Sequence, residues 1–385
     1  MKEINAEKLN KTLEARIQND LSEGRISCAD IIVKQNSQYI TRITAGTADT
    51  SKGFALPRNS MFRLASMTKP VTGVAVLIGV QNGWFGLEDD LSDHLPQFAN
   101  MKIAKKDGDG YRIAGDAKKP LKIWHLLTHV NGIMTELDLG YRIYEKTPRS
   151  AFESLQTMTD YCATQPLNYE PERFSSYSGY CAFDIAARLI EIKSGMPYAD
   201  FCRKYIFEPL DLSDMTFCPT DQQWARMVKV HCRTEGRTMI PIELGRHLYE
   251  GFPLSYTCAG AGLASTAENY SRFAEMLLNE GSLDGTEILR PEIFAEFAKL
   301  RVSCKKTRGC EKDNGWGLGV RVVEGENYPL PVGSYGWSGA YGCHFWVDPV
   351  NKITAVYLRA NMSYADHGAG DVKAIFEKDV MDALF

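Results

Sequence analysis

Strand-like sequence stands at both ends of this chain and helical sequence fills its middle, an arrangement that restricts the fold more than any other feature. A helical pattern over about residues 5–23, with Ile4, Leu9, Leu13 and Ile17 at helical spacing, stops at Gly24. Two strand-like runs follow, Cys28 to Val33 and Tyr39 to Thr44, as expected of an antiparallel hairpin. The apolar run from Val71 to Val80 predicts a buried helix closed by Asn82-Gly83. Near the other end come the strand-like runs GLGVRVV, HFWVDP and ITAVYLR, with a final helix predicted at VKAIFEKDVMDALF.

From about 90 to 250 the patterns are mainly helical. IWHLLTHVNG predicts a short helix ended by Gly132, and FDIAARLIEIKSG a strongly amphipathic one ended by Gly195, followed by another near YADFCRKYIF. KKDGDGYRIAGDAKK predicts an exposed excursion. Strands at both ends with helices between them suggest an α/β (α+β) domain formed by the two termini and interrupted by a helical insertion. An antiparallel sheet flanked by helices, from residues 1–90 and 251–385, carries an inserted, mainly helical domain at 91–250. A chain of 385 residues suits two such parts better than one core.

Composition excludes several function classes. Hydrophobic residues make up 44% and charged residues 24%, with a net charge of −4 and no basic block, so neither nucleic acid nor anionic lipid is an expected partner. The N-terminus lacks the apolar core of a secretory signal and no run is long enough to span a bilayer, which predicts a cytoplasmic chain. Ten scattered cysteines without a C-x-x-C pair predict buried free thiols rather than a disulfide framework or a structural zinc site.

Ser66-Met67-Thr68-Lys69 carries the sharpest chemical signal. Residues three apart share a helix face, so the two side chains can meet. A serine hydroxyl needs a neighbouring base, and lysine serves where its neutral form is favoured. A serine at a helix start also leaves its own N–H free for an oxyanion. Chance S-x-x-K tetrapeptides are common as a cap and a solvated lysine. Here the tetrapeptide runs from FRLA into an apolar helix, where a surface lysine is out of place.

The surrounding text is more specific. FRLASMTKPVTGVAVLIGVQNGWFGLEDDLSDHLP resembles the nucleophile region of class C β-lactamases and their esterase and penicillin-binding relatives. IWHLLTHVNGI, PERFSSYSGYCAFDIAARLIEIKSGMPYADFCRKYIFEPLDLSDMTF, GAGLASTAENYSRFAEMLLNEG and GWSGAYGCHFWVDP continue that resemblance in the family's order, over roughly residues 55–350. The resemblance implies the β-lactamase/transpeptidase-like fold and an acyl-enzyme mechanism with Ser66 as nucleophile and Lys69 as base. It places the second catalytic motif at Tyr177-Ser178-Gly179, with Tyr177 as the proton-moving partner. Tyr180 is a rival, and the offset of Tyr177 from Phe183 and the IAARLIE helix matches the esterase-like members. The third motif falls on Trp337-Ser338-Gly339 as substrate-binding residues, and the N–H groups of Ser66 and Ala340 form the implied oxyanion hole.

Two departures from the lactamase pattern bear on substrate. Gly179 stands where lactamases carry asparagine, and Trp337 where they carry the lysine that attracts a substrate carboxylate. The expected activity is therefore that of a carboxylesterase-like serine hydrolase acting on a small ester or amide, without cofactor or metal. The alternatives are a β-lactamase or D-alanyl-D-alanine carboxypeptidase, and a non-hydrolytic protein that binds penicillin or a short peptide.

Other motifs have plainer readings. His125 and His129, four apart on the predicted helix, lack the glutamate of H-E-x-x-H and any third ligand, and are expected to pack or hydrogen-bond. GWSGA almost spells the nucleophile elbow, but strand rather than helix is expected after Ser338. Asp89, Asp90 and Asp93 are expected in a solvated turn.

Overall fold

A computed structural model describes residues 2–108, 110–133, 147–249, 251–362 and 372–385. Its principal sheet is assembled from both ends of the chain. Strand β1 (Cys28–Gln35) pairs on one side with β2 (Gln38–Asp49), and β3 (Phe54–Ala55) follows β2. On its other side β1 pairs with Ile353–Leu358, beyond which lie His344–Asp348, Tyr335–Ser338, Arg321–Val323 and Asn314–Trp316. Every pairing is antiparallel. The β1–β2 turn is Asn36-Ser37, both at positive φ (50° and 62°), the geometry whose twist suits a two-residue hairpin.

All eight residues of β1 are buried, because helices cover both faces of the sheet. Successive side chains alternate between the two layers. Ile31 and Val33 join Leu9, Leu13 and Ile17 of helix α1 (Ala6–Ser22) and Phe376 and Val380 of the last helix (Val372–Asp382). Ile32 joins the larger cluster on the other face, with Val71 and Val74 of helix α2 (Lys69–Gln81) and Phe273 of the Ala267–Leu278 helix. The antiparallel sheet between helical layers expected from the sequence is therefore present.

Residues 91–250 contribute no described strand to this sheet. They include the helices Leu155–Thr164 and Cys181–Ser194, the latter ending at Gly195 as expected. Tyr198–Cys202 continues as a wider π turn to Phe207. Two hairpins depart from the helical expectation, Lys102–Asp107 with Gly110–Asp116 and Val230–Arg233 with Met239–Ile242. In the first, the second strand is exposed along its length, so no apolar alternation was there to announce it. The helix expected through IWHLLTHVNG is also shorter, Ile123–Leu127. The chain has left it before His129, whose φ is +61°. His125 and His129 therefore do not share a helix.

All ten cysteines are free thiols, six of them buried. No described helix is long and apolar enough to cross a membrane.

Candidate active site

The Ser66 turn is braced before its chemistry is considered. Strand β4 (Phe62–Arg63) pairs with Ala264–Ser265, and Leu64 N–H donates to Leu263 O at 2.9 Å. The chain then turns through Ala65, a non-glycine residue held at φ +45°, into a short 3₁₀ turn, Ala65–Thr68, that runs into α2. The Thr68 hydroxyl donates to Ala65 O at 2.6 Å and accepts from Leu263 N–H at 3.1 Å, and Tyr270 Oη donates to Met67 O at 2.8 Å. A backbone conformation of this kind persists only where surrounding bonds enforce it. Ser66 is left half-buried among fully buried neighbours.

Lys69, at the first position of α2, is completely buried. Its Nζ lies 3.2 Å from Ser66 Oγ and donates to the carbonyl oxygens of Gly179 and, at 2.8 Å, Gly260. Three N–H directions thus meet three oxygens, two of them backbone. Gly260 can come this close because it has no side chain: a Cβ there would lie 2.6 Å from Tyr180 Cα and 2.8 Å from Gly179 O. At position 179 it is the backbone carbonyl that reaches the lysine. The aromatic rings of Tyr177 and Phe183 complete the lysine's surroundings at 4.9 and 5.0 Å.

Tyr177 stands in a box of aromatic rings. Its hydroxyl accepts from Trp337 Nε1–H at 3.1 Å, and its ring lies 4.6 Å from that of His129. Trp316 packs on His129 at 4.3 Å and on Trp337 at 4.8 Å. Burial, and then the nearby Lys69 charge, hold His129 well below the usual histidine range, so its ring is neutral. Its Nδ1 accepts the Ser178 N–H at 3.0 Å, which places the ring hydrogen on Nε2. Tyr180, the rival tyrosine, points elsewhere, into Phe252 and Arg149.

Of the residues expected in the third motif, Trp337 meets the cluster while Ser338 turns its hydroxyl to His344 on the opposite face of the sheet. Gly339 abuts the Ser66 turn so closely that a Cβ would lie 2.1 Å from Leu64 O. The next residue, Ala340, is exposed, and its N–H makes no hydrogen bond among the described residues. The Ser66 N–H lies in the first turn of its helix, where no intrahelical acceptor is available.

Behind the lysine sits a group that sequence reasoning missed. Asp184 is completely buried and accepts from Tyr256 Oη at 2.8 Å and Ala259 N–H at 2.7 Å. Burial outweighs these donors and pushes its carboxyl up to about 7. The signal was a charged residue inside the apolar stretch of an otherwise regular amphipathic helix. His129, Trp316 and Gly260 were also missed as members of the site, and only His129 had a trace in the sequence, as half of a discounted metal pair. Asp89 bonds its own turn, to Gly86 N–H at 2.8 Å and His94 at 3.0 Å. Among the described residues no group of three or more His, Cys, Asp or Glu is placed to hold a metal ion.

A half-buried serine three residues before a fully buried lysine at the start of a helix, beside a helix-covered antiparallel sheet, defines a recognisable class. The sequence matches the Beta-lactamase family over residues 13–378, and the chain belongs to that family. It is 27% identical to Esterase EstB of Burkholderia gladioli, over 94% of this chain and 92% of that one. It is also 27% identical to Penicillin-binding protein 4 of Amycolatopsis lactamdurans, over 79% and 72%. Among solved structures, EstCE1, described as a hydrolase with promiscuous acyltransferase activity, superposes with a TM-score of 0.80 at 23% identity over 98% of both chains. The fold is thus the β-lactamase/transpeptidase-like fold.

Proposed function

We propose that the chain is a serine hydrolase related to the class C β-lactamases, working through an acyl-enzyme on a small carboxylic ester. The carrying observation is the Ser66–Lys69–Tyr177 cluster with an indole, not a cation, completing it. Two carbonyls satisfy two N–H groups of Lys69 in either charge state, so the third direction, toward Ser66 Oγ, is where a proton can be exchanged. Neutral Lys69 takes the Ser66 proton as Oγ attacks the carbonyl carbon, and Tyr177 passes a proton to the leaving alcohol. The N–H groups of Ser66 and Ala340 hold the oxyanion. Water, or an acceptor alcohol, then attacks the acyl carbon and gives its proton to Tyr177, while Lys69 returns its proton to Ser66 Oγ as the acyl–serine bond breaks. The proposed site joins residues of the part expected to bear the sheet, 1–90 and 251–385, which supplies Ser66, Lys69 and Trp337, to Tyr177 of the inserted part, 91–250. The loops expected to shape the pocket include one at about 135–160, of which residues 135–146 lie outside the described residues.

The esterase reading rests on Trp337, which offers a substrate carboxylate no positive charge. The esterase relative aligned over nearly the whole chain supports it. Similarity to a penicillin-binding protein keeps β-lactam or D-alanyl peptide hydrolysis as the second reading. Hydrolysis of p-nitrophenyl butyrate that disappears in Ser66→Ala is the expected result. Rapid nitrocefin turnover with no ester turnover would reverse the order, and equal ester activity in wild type and Ser66→Ala would mean another nucleophile.

A further inference from the structure

The proposed chemistry uses one side of the Tyr335–Ser338 strand, and the other side carries a buried polar chain. Trp337 turns its indole to Tyr177, so Ser338 turns its hydroxyl to the opposite face. There Ser338 Oγ lies 2.9 Å from Nδ1 of His344, its register partner on the neighbouring strand. His344 Nε2 lies 3.0 Å from Oε1 of Glu377 on the last helix. The Glu377 carboxylate also accepts from Arg321 Nη2 at 2.6 Å and from the Tyr328 hydroxyl at 2.8 Å. His344, Glu377 and Arg321 are all buried.

These bonds fit together in one sense only. Burial opposes ionisation of Glu377, but the hydrogen bond from His344 and the charge of Arg321 outweigh it and bring the carboxyl down to about 2. An ionised carboxylate has no proton to give, so His344 Nε2 carries the hydrogen between them. Burial keeps the ring from taking a second proton. Nδ1 is then bare, and the Ser338 hydroxyl donates to it, aiming its proton away from Tyr177.

We propose that Arg321, Glu377, His344 and Ser338 form a positioning network that fixes, from behind the sheet, the strand end from which Trp337 and Ala340 reach the Ser66 centre. The last helix is thereby tied to the oxyanion donor. The proposal rests on the reading of Ser66 as nucleophile and Ala340 as donor. A serine backed by histidine and glutamate also has the make-up of a nucleophilic triad. Its orientation away from Lys69 favours positioning, and the triad is an outcome of the test.

The titratable and charged groups around the His344 ring are Glu377 and Lys373 of the last helix, Arg321 and Tyr328 beside it, and Tyr357 directly across on the next strand. The test uses the full chain and a fluorophosphonate, which labels an activated serine without requiring the right ester, together with p-nitrophenyl butyrate kinetics. Ser338→Ala removes only the hydroxyl, His344→Ala empties the relay, and His344→Asn keeps a polar amide near Nδ1. Ser66 labelling and kcat are expected to fall roughly tenfold in Ser338→Ala and further in His344→Ala, with KM nearly unchanged and partial recovery in His344→Asn. Wild type should lose activity at low pH as His344 takes a second proton and stops accepting, a step missing from Ser338→Ala. A Ser338→Ala protein with wild-type labelling rate, kcat and pH profile would overturn the proposal, whether or not His344→Ala folds. Label on Ser338 instead of Ser66 would overturn both the network and the choice of nucleophile. Labelling of Ser66 without ester turnover would count against the substrate class alone, and the labelling rates would still decide the network.

Discussion

The molecule buries two lysines in opposite ways. Lys34, on β1, meets the carboxylate of Glu275 at 2.7 Å, with both side chains only 6% exposed. Lys69 is more deeply buried, yet among the described residues it forms no ion pair and is held by two backbone carbonyls and a serine. A carboxylate partner fixes a lysine in its charged form. Carbonyls accept from an ammonium and an amine alike, so Lys69 keeps its place whether or not it holds the third proton. One lysine is paired with a carboxylate, the other with neutral oxygens alone, which is the arrangement the proposed proton exchange requires.

Removing each lysine's function should break the comparison in different currencies. Lys69→Ala should lower kcat/KM for p-nitrophenyl butyrate by roughly 10³-fold or more, about 4 kcal/mol of transition-state stabilisation, while the protein stays folded. A smaller loss, with Ser66 still labelled at the wild-type rate, would mean that Lys69 is structural, as Lys34 is. Glu275→Ala should act the other way round. It strands a buried ammonium and should lower stability by about 3 kcal/mol in urea unfolding, with kcat near wild type in the folded fraction. The double variant Lys34→Met/Glu275→Leu should recover most of that loss, because an apolar pair of similar size avoids the stranded charge.

The contrast also marks what could be read without coordinates. The sheet was legible because its strands cluster at the two ends of the chain, and β1 and β2 form the expected hairpin. Ser66 and Lys69 were legible because they are local, three residues apart on one helical turn. The carbonyls of Gly179 and Gly260 were not, since they lie 110 and 191 residues from Lys69 and a backbone oxygen leaves no trace in residue type. His129 was placed on a helix that in fact ends two residues earlier, at Leu127. A positive φ at a non-glycine residue has no sequence signature, and it is that turn which carries the ring to Tyr177.

Asp184 offers a subtler break, because it is the carboxylate that Lys69 touches only at second hand. It holds the Ala259 N–H, and the next residue's carbonyl holds the lysine. Its carboxyl ionises near 3.8 in the unfolded chain and near 7 in the folded one. Between those values the folded state keeps a proton that the unfolded state has lost, so this group's contribution to stability is fully present below about pH 4 and is lost as the pH rises toward 7. Asp184→Asn, which resembles the protonated form, should be less sensitive to pH. Urea unfolding at pH 4.5 and 7.5 should show wild type losing about 3 kcal/mol relative to the variant. An unchanged difference would mean that Asp184 is ionised at both pH values, a buried carboxylate balancing the Lys69 charge without touching it.

The smallest expected effect tests the tyrosine side of the cluster. Trp337 touches Tyr177 in two ways, through ring packing at 5.4 Å and through the indole N–H on the phenolic oxygen at 3.1 Å. Trp337→Phe keeps much of the first and deletes the second. A single neutral hydrogen bond contributes about 1 kcal/mol, so kcat/KM should fall roughly fivefold, with unfolding barely altered. A fall as large as that of Lys69→Ala would make the indole N–H indispensable to proton transfer at Tyr177. No fall would reduce Trp337 to a wall of the pocket and leave Lys69 alone with the proton, the sharpest form of the contrast with Lys34.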